Sequence, residues 1–505
     1  MSSTILELGE KYTLWAKELI SKRRKRLEKA HKEGRLPQHD TYFGSSVPGV
    51  KTDWHIELPE WCRDQRNQMT GPADDMELVV KMINSGAPGV MLDLEDSLAN
   101  TRKNVRAGLN NCIRALEQRA YYEKPGHGRV EQTGKPVIFV RPRGLHLFDR
   151  STDGELSSAF YDVVQVADNV VAERMQHPLV FYIPKTESAE EALWWRSLFR
   201  ELADIRGWKS DYIKCMALVE SFPLAYEMEE FIYHLRDHII GLNLGRWDYM
   251  ASVIEWNFEN PDWVLPDRNT IPHDVEFFQN LRETMVRICH SRGILAIGGM
   301  TALFPSRSDS VLNSLAMKVL EQDKKNESAF GFDGAWTGHP DQNQIAIDQF
   351  PEPNQLDVIP PDRNPTLNVP IELDLPRTLG ENGGMRLANN VTEKGTRAAI
   401  RTCILYRYHV LKGKGASLIN GYMEDLATDR IYRNMIAQRF RHWYHNAEQI
   451  SNMFNEEKAC IMASHSFRYN KADTIALEEA AFLTLKSVFE IGYKGFDNGT
   501  TRASS

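Results

Sequence analysis

Two carboxylates, Glu220 and Asp248, each close a short apolar run within residues 215–248, and a helical pattern lies between the runs. If both runs are parallel strands of one α/β barrel, both acids face the end of the barrel where such enzymes carry their active sites. Carboxylate oxygens are the ligands that Mg²⁺ prefers, and an ion held by two of them keeps open positions for a small oxyanion. The spacing therefore predicts a magnesium site formed by Glu220 and Asp248.

A reaction follows from the groups around this pair. The ion would chelate a 2-oxo acid and polarise its carbonyl, while Arg141, at the end of another apolar run, would place a fixed positive charge beside the developing alkoxide. A carboxylate that removes a methyl proton from a thioester would supply the carbon nucleophile. Asp425 is the candidate base, because a helix N-terminus is predicted within residues 415–430 and favours the ionised form. An acid at that position can equally serve only as the helix cap.

The elements that must position these groups form a (β/α)8 pattern. Eight short apolar runs alternate with helical segments, which is the length and order of one TIM barrel. The runs are QMTGPA (68–73), GVMLDLEDS (89–97), PVIFVRPRG (136–144), LVFYIPKTES (179–188), KCMALVES (214–221), IIGLNLG (239–245), ILAIGGM (294–300) and FGFDGAWTGHP (330–340). Polar residues gather at the C-terminal ends of these runs, as expected at a barrel mouth: Asp93, Glu95, Asp96, Arg141, Arg143, Lys185, Glu187, Glu220, Asp248 and His339.

Helical segments flank the predicted barrel. We expect an N-terminal helical clasp in residues 1–62, the barrel in 63–350, a proline-rich linker in 351–380 and an all-helical domain in 381–505 that carries Asp425. The basic run Lys22–Arg26 in the clasp fits a solvated helix end, or a phosphate-binding patch.

Composition excludes several classes of protein. The net charge of −8 gives no general attraction to nucleic acid or anionic membranes. No apolar stretch approaches the roughly 20 residues of a membrane span. The six cysteines show no CxxC spacing, so neither a zinc site nor a disulfide framework is indicated. The N-terminus lacks the pattern of an export signal and the chain ends TTRASS, which is not a peroxisomal address, so we expect a cytoplasmic bacterial enzyme.

Several motifs in collinear order resemble those of malate synthases, in particular the shorter A-type isoform. They are VRPRG (140–144), SFPLAYEMEEFIYHLRDH (221–238), GLNLGRWDY (241–249), AIGGM (296–300), GFDGAW with HP (331–340) and GYMEDLAT (421–428). The resemblance implies a TIM barrel with an N-terminal helical clasp and a C-terminal helical plug. It also implies Mg²⁺-dependent condensation of acetyl-CoA with glyoxylate, followed by hydrolysis of malyl-CoA to malate and CoA.

The resemblance also assigns roles to individual residues. Arg141 would be the electrophilic arginine at the glyoxylate carbonyl and Asp425 the base that deprotonates acetyl-CoA. Glu220 and Asp248 would bind Mg²⁺, with Glu95 and Asp96 behind them. The backbone N–H groups of Gly245, Arg246, Trp247 and Asp248 would receive the glyoxylate carboxylate, and Arg143 is a candidate contact for CoA.

Departures from the family pattern leave two alternatives open. Leu145 stands where the A-type pattern has tryptophan, and LEDSLANTR (94–102) replaces FEDSNSPTW. The LDLEDS segment also resembles CoA-ester lyases that act on malyl-CoA or citramalyl-CoA, so a lyase or a synthase using another 2-oxo acid is the first alternative. The second is a non-catalytic acyl-CoA-binding protein, against which the joint presence of Arg141, Glu220, Asp248 and Asp425 weighs. The oligomeric state is not readable from the sequence.

Overall fold

Eight parallel strands close into a barrel. The computed structural model describes residues 3–34, 47–126, 128–149, 155–271, 275–361, 377–379, 385–387, 391–464 and 471–496. Each barrel strand pairs with its neighbours in the sequence, and the first pairs with the last. All eight apolar runs form strands, so the predicted TIM barrel is confirmed. The strands are β1 (Asn67–Pro72), β2 (Gly89–Asp93), β3 (Val137–Arg141), β4 (Val180–Ile183), β5 (Lys214–Val219), β6 (Ile239–Leu244), β7 (Leu295–Met300) and β8 (Gly334–Thr337).

Fourteen α-helices surround the barrel or follow it in the described part of the chain. Several begin at a side chain that caps the first turn, such as Asp75 before α2 and Thr101 before α3. The helices are α1 (Ser3–Glu33), α2 (Met76–Ile83), α3 (Arg102–Leu116), α4 (Ser158–Asn169), α5 (Glu191–Ile205), α6 (Met228–His234), α7 (Arg246–Trp256), α8 (Glu276–Ser291), α9 (Ser310–Ala329), α10 (Pro340–Ile347), α11 (Glu393–Leu411), α12 (Leu426–Arg441), α13 (Ala447–Ala463) and α14 (Lys471–Lys494).

Strand residues alternate between two hydrophobic clusters. On β2 and β3, Val90 and Val140 join the large cluster formed with the helices, whereas Met91 and Phe139 join a smaller cluster inside the barrel. This is the period of two expected of strands covered on both faces. The side chain two positions after an interior residue therefore points into the barrel one layer nearer the mouth.

The N-terminal helix α1 lies across the outside of the barrel. It packs against α4, α5 and α7. The basic run of this helix was predicted to be a solvated helix end or a phosphate-binding patch. Arg23 fits neither prediction, because it is buried and forms a two-point ion pair with Glu191 at the start of α5. Arg26 pairs with Glu227 at 2.7 Å. These pairs fix the helical clasp to the barrel.

The C-terminal helices α11–α14 pack on one another, and α12 also packs along α7 of the barrel. We refer to α11–α14 as the plug. This arrangement confirms the predicted C-terminal helical region. The predicted linker is described only at 351–361 and 377–379, and the domain limits at 62, 350 and 380 stay a prediction. Among the described helices, none combines the length and the apolar character needed to cross a bilayer.

Candidate active site

Arg141 and Asp93 occupy the top layer of the barrel interior. Each lies two residues after an interior position, Phe139 or Met91, and the two are register partners on β3 and β2. The Nε and Nη2 atoms of Arg141 each donate to one Asp93 oxygen at 2.6 Å. Burial disfavours the Asp93 carboxylate, but the Arg141 guanidinium outweighs this effect and holds the pKa of Asp93 below its usual range. Asp93 therefore fixes the orientation of Arg141.

Lys185 lies at the centre of a cluster of acids. Its Nζ is 2.8 Å from Asp96 Oδ2, contacts Asp248 Oδ2, and is 3.7 and 3.8 Å from Glu95 and Glu220. Its backbone has a φ of 52° and donates to Glu220 Oε1 at 2.6 Å. Burial disfavours the ammonium, but the surrounding carboxylates raise the pKa of Lys185 well above its usual value. The sequence marked Lys185 only as a strand-end residue, and its place between the acids was missed.

Asp96, Glu220 and Asp248 form a set that can hold a metal ion. Each offers one carboxylate oxygen, the three oxygens lie within 4.8 Å of one another, and all three residues are buried. Among the described residues, both Glu95 oxygens and Asp96 Oδ1 are buried without a hydrogen-bond partner. The cluster therefore has more acceptor oxygens than the surrounding protein donors satisfy. Hard anionic oxygens suit Mg²⁺. The structure thus brings the predicted pair together and adds Asp96, which was expected to lie behind it.

Glu220 approaches the backbone at the start of α7. A Cβ atom built on Gly245 would lie 2.6 Å from the Cβ of Glu220, so only glycine leaves room for this contact. Burial raises the pKa of Glu220 to about 7, with Asp248 and Asp96 adding to the shift against the opposing Lys185. A cation bound in the cluster would favour the ionised form.

The predicted glyoxylate-binding backbone lies at the N-terminus of α7. The N–H of Gly245 donates to Val219 O at 3.1 Å, and the first helical bond runs from Tyr249 N–H to Gly245 O at 3.0 Å. The N–H groups of residues 246–248 therefore precede the helical hydrogen-bond ladder, at the end of the helix dipole that attracts anions. The Gly245 N–H was also predicted to bind the glyoxylate carboxylate, but it is already hydrogen-bonded to the end of strand β5.

The side chains of Arg246 and Trp247 face the loop after α7 and the start of α8. The Arg246 guanidinium lies over the Trp247 and Phe278 rings, 4.6 and 4.8 Å from their centroids, and donates to Ile271 O at 3.2 Å. Burial lowers the pKa of Arg246 to about 9. Both residues still line the cavity at the barrel mouth.

Asp425 reaches the mouth from the plug. A hairpin of Ser417–Ile419 and Tyr422–Glu424 meets the loop after β7, where Met423 N–H donates to Ala302 O at 3.1 Å. Asp425 is the N-cap of α12, and its Oδ1 accepts from Ala427 N–H at 3.0 Å. Burial raises its pKa to about 7, with Asp96 and Asp248 adding to the shift. The expectation that the helix start favours the ionised form of Asp425 therefore differs from the direction of its pKa, which burial and neighbouring acids raise.

One cavity of about 480 Å³ joins the barrel mouth to the plug. Its lining contains the two predicted catalytic residues, the metal-binding acids and the start of α7: Asp93, Asp96, Arg141, Glu220, Gly245, Arg246, Trp247, Asp248 and Asp425. Two other strand-end residues have structural partners. Glu187 lies outside this lining and is 3.7 Å from Arg23 of the clasp. His339 lines the cavity and also caps α10 by accepting from Asp341 N–H.

Arg143 lies outside this set. Its guanidinium donates to both oxygens of Asp162 at 2.7 and 2.9 Å and to Asp149 at 2.8 Å. The side chain is buried beside a neighbouring cleft rather than in the lining of the mouth cavity. Strand β3 ends at Arg141, two residues before Arg143. The alternation of side chains along a strand therefore does not extend to Arg143 and does not predict where its side chain points.

The sequence of this chain matches a known family. Models of the malate synthase TIM barrel domain and of the malate synthase C-terminal region match residues 137–368 and 390–491. The malate synthase of Streptomyces clavuligerus is 34% identical over 454 residues, covering 86% of this chain and 81% of the relative. This chain belongs to the malate synthase family. Malate synthase A of Escherichia coli strain K12 is also 34% identical, over 435 residues that cover 83% of this chain and 77% of the relative.

Membership of the malate synthase family confirms three predictions: the family, the enzyme class of acyltransferase, and malate synthase as the function. The fold is shared more widely. The Haloferax volcanii malate synthase pyruvate/acetyl-CoA ternary complex superposes with a TM-score of 0.51 at 14% identity, covering 83% of this chain and 98% of that structure.

Proposed function

We propose that this malate synthase condenses acetyl-CoA with glyoxylate at the mouth cavity, with Asp425 as base and Arg141 beside the carbonyl oxygen, and then hydrolyses malyl-CoA to malate and CoA. One observation carries this proposal. A carboxylate with a pKa of about 7, delivered by the plug, lines the same cavity as an oriented arginine and a set of metal-binding acids. A base with a pKa near the working pH is the efficient one.

Asp96, Glu220 and Asp248 are the residues that would hold Mg²⁺. When bound, the ion would polarise the keto carbonyl of the 2-oxo acid. We place Glu95 beside these ligands rather than among them. The N–H groups of residues 246–248 would receive the glyoxylate carboxylate at the start of α7.

The protein groups would act in sequence. Asp425 takes a proton from the methyl carbon of acetyl-CoA, and the electron pair of that C–H bond forms the new bond to the glyoxylate carbonyl carbon. The carbonyl oxygen then carries the negative charge next to Arg141, whose ion pair with Asp93 keeps it in place. The alkoxide takes up a proton from solvent and becomes the hydroxyl of malyl-CoA, while Asp425 gives its proton up to solvent. Water then attacks the thioester carbonyl, the C–S bond breaks, and a proton of that water goes to the sulfur, so that CoA leaves as its thiol. Arg141 serves as a fixed charge because a guanidinium is a poor proton donor.

The predicted CoA contact of Arg143 stays a prediction. Its ion pairs with Asp149 and Asp162 support a structural role. A Michaelis constant for acetyl-CoA measured on Arg143→Lys, at constant thermal stability, would separate the two roles.

A CoA-release assay tests the proposed reaction. The protein would be mixed with acetyl-CoA, Mg²⁺ and a thiol reagent, and with glyoxylate, pyruvate, 2-oxobutyrate or no acceptor. We expect free thiol to appear fastest with glyoxylate and to vanish with EDTA. Absence of thiol with every acceptor, together with glyoxylate or pyruvate release from malyl-CoA or citramalyl-CoA, would favour the lyase alternative instead. Absence of both condensation and cleavage would favour the non-catalytic acyl-CoA-binding protein.

A cytoplasmic location is proposed for the same enzyme. All six cysteines are free thiols, and five of them are buried, which suits a reducing compartment. Fractionation of the source cells, followed by immunodetection, would test this location.

A further inference from the structure

Arg430 connects the plug to two acids on one barrel helix. It lies on α12, five residues after Asp425. Its Nη1 donates to Asp248 Oδ1 at 2.9 Å. Its Nε and Nη2 donate to the carboxylate of Glu255, two turns further along α7, at 2.9 to 3.0 Å. One guanidinium from the plug therefore spans two carboxylates of the barrel.

These contacts are shielded from solvent. The side chain of Arg430 is 17% exposed, and those of Asp248 and Glu255 are 3% and 2% exposed. Ion pairs at such positions are not the weak, salt-screened pairs of a protein surface, and removal of one partner leaves a buried charge. Asn434, one turn after Arg430, also donates to Glu255 and to Ala251 O.

The two oxygens of Asp248 face different parts of the molecule. Oδ2 faces Lys185 and the acid cluster, whereas Oδ1 faces Arg430. We propose that Arg430 is a positioning residue that joins Asp248 to the helix bearing Asp425, and so sets the distance between the base and the metal-binding acids. The inference rests on the proposed roles of Asp425 and Asp248.

Two substitutions separate this role from a purely electrostatic one. Arg430→Met removes the charge and both contacts, while Arg430→Lys keeps the charge but cannot donate to both Asp248 and Glu255 as a fork. Arg441→Met is the matched control. Arg441 lies on the same helix and pairs with Glu259 of the barrel at 2.7 Å, but its side chain is 37% exposed and does not contact Asp248.

The first measurement is kcat at Mg²⁺ and substrate concentrations shown by titration to be saturating. We expect kcat to fall by about 100-fold in both Arg430 variants, as for a displacement of about 1 Å between reacting groups. The Arg441 variant is expected to stay within about 3-fold of the original enzyme, since exposed ion pairs contribute little. Full kcat in Arg430→Lys would overturn the proposal, because charge alone would then suffice.

The second measurement is amide hydrogen exchange of the metal-free protein over residues 421–430. We expect faster exchange in both Arg430 variants, because the start of α12 loses one of its connections to the barrel, and no change in Arg441→Met. Unchanged exchange in the Arg430 variants would overturn the proposal. If the original protein does not condense acetyl-CoA with glyoxylate, the proposed function fails, and exchange alone decides whether Arg430 positions α12.

A double variant distinguishes a loss of positioning from a loss of folding stability. Arg430→Met leaves Glu255 buried without its arginine, whereas Arg430→Met with Glu255→Met replaces the pair by apolar side chains of similar size. We expect the double variant to recover most of the thermal stability lost in Arg430→Met, since only Asp248 still lacks its arginine, while kcat stays about 100-fold low. Recovery of full kcat in the double variant would show that only the buried charge of Glu255 mattered, and would overturn the role of the Asp248 contact.

Discussion

Asp425 and Asp248 carry the same side chain, and their surroundings move the two carboxyl pKa values in opposite directions. Burial, Asp96 and Asp248 raise the pKa of Asp425 to about 7. Burial also opposes ionisation of Asp248, but Lys185 and Arg430 outweigh it and hold the pKa of Asp248 below its usual range. A carboxyl that titrates near neutrality suits proton transfer, and one that stays ionised suits a cation.

Asp425→Asn tests the base. Asparagine caps a helix as well as aspartate does, so we expect the fold and glyoxylate binding to be unchanged. The amide cannot accept the methyl proton, and kcat should fall by about 10²- to 10⁴-fold. Initial rates and glyoxylate titration calorimetry would measure the two effects. The control is Asp211→Asn, an exposed acid outside the mouth cavity. Turnover at the original rate in Asp425→Asn would remove Asp425 from the mechanism.

Asp248→Ala tests the metal-binding acids. We expect the affinity for Mg²⁺ to fall by at least about 100-fold, beyond what the loss of a residue that merely supports a ligand costs. Activity should be lost with it. Titration calorimetry with Mg²⁺ measures the affinity, and Asp248→Asn, which keeps the side-chain shape, controls for collapse around Lys185. A variant that remained fully active without metal would place the metal site elsewhere.

At the scale of elements, the approach of α12 to the barrel depends on the hairpin before it. Phe304 N–H donates to Gly421 O at 2.9 Å, and Leu426 N–H donates to Asp96 O at 3.3 Å. Arg268, in the loop after α7, donates to both oxygens of Glu424 at 3.1 Å, and both side chains are buried. The chain on either side of Asp425 is therefore attached to the barrel.

Arg268→Met tests this attachment. The substitution leaves the Glu424 carboxylate buried without its arginine, so the free energy of unfolding should fall by about 3–5 kcal/mol. Urea unfolding measures it. Adding Glu424→Met to the same variant should recover most of the loss, because neither charge is then buried. A loss below about 1 kcal/mol in the single variant would mean that the pair is as weak as one on the surface.

At the scale of the whole molecule, residues 351–361 begin the connection between the last barrel helix, α10, and the plug. His290 of α8 holds the described part of this connection, since its Nδ1 lies 2.6 Å from Val358 O and its Nε2 lies 3.0 Å from Asp333 Oδ2. The other Asp333 oxygen accepts from Gln355 N–H at 2.7 Å. Burial disfavours the imidazolium, but Asp333 outweighs this effect and raises the pKa of His290.

This contact predicts a pH dependence. Because the folded pKa of His290 lies above the unfolded value of about 6.5, its contribution to stability is complete below that value and is lost as the pH rises through the folded pKa. The loss of unfolding free energy in His290→Gln should therefore be larger at pH 6 than at pH 9, measured by urea unfolding. His177 provides the control, because burial lowers its pKa and His177→Gln should show the opposite trend. Equal losses for His290→Gln at both pH values would contradict the assignment.

The sequence by itself determined the barrel and the main residues of the candidate site. Strands buried on both faces need continuous apolar runs, and the polar residue that ends a parallel run must lie at the mouth. Glu220, Asp248 and Arg141 could be placed by this local rule. The start of α12 could also be predicted from neighbouring residues alone, because a turn followed by an acid and a helical pattern identifies an N-cap.

Only the tertiary structure decided which charges meet inside the mouth. The ammonium of Lys185 enters the acid cluster from a backbone with positive φ, Asp96 joins Glu220 and Asp248, and Arg430 reaches Asp248 from the plug. Arg143, two residues after Arg141, turns to Asp162 instead. These contacts join segments far apart in the chain, and side-chain direction beyond a strand end follows no period. The pKa of Asp425 was likewise outside the reach of local sequence, because burial and the acids of other strands set it.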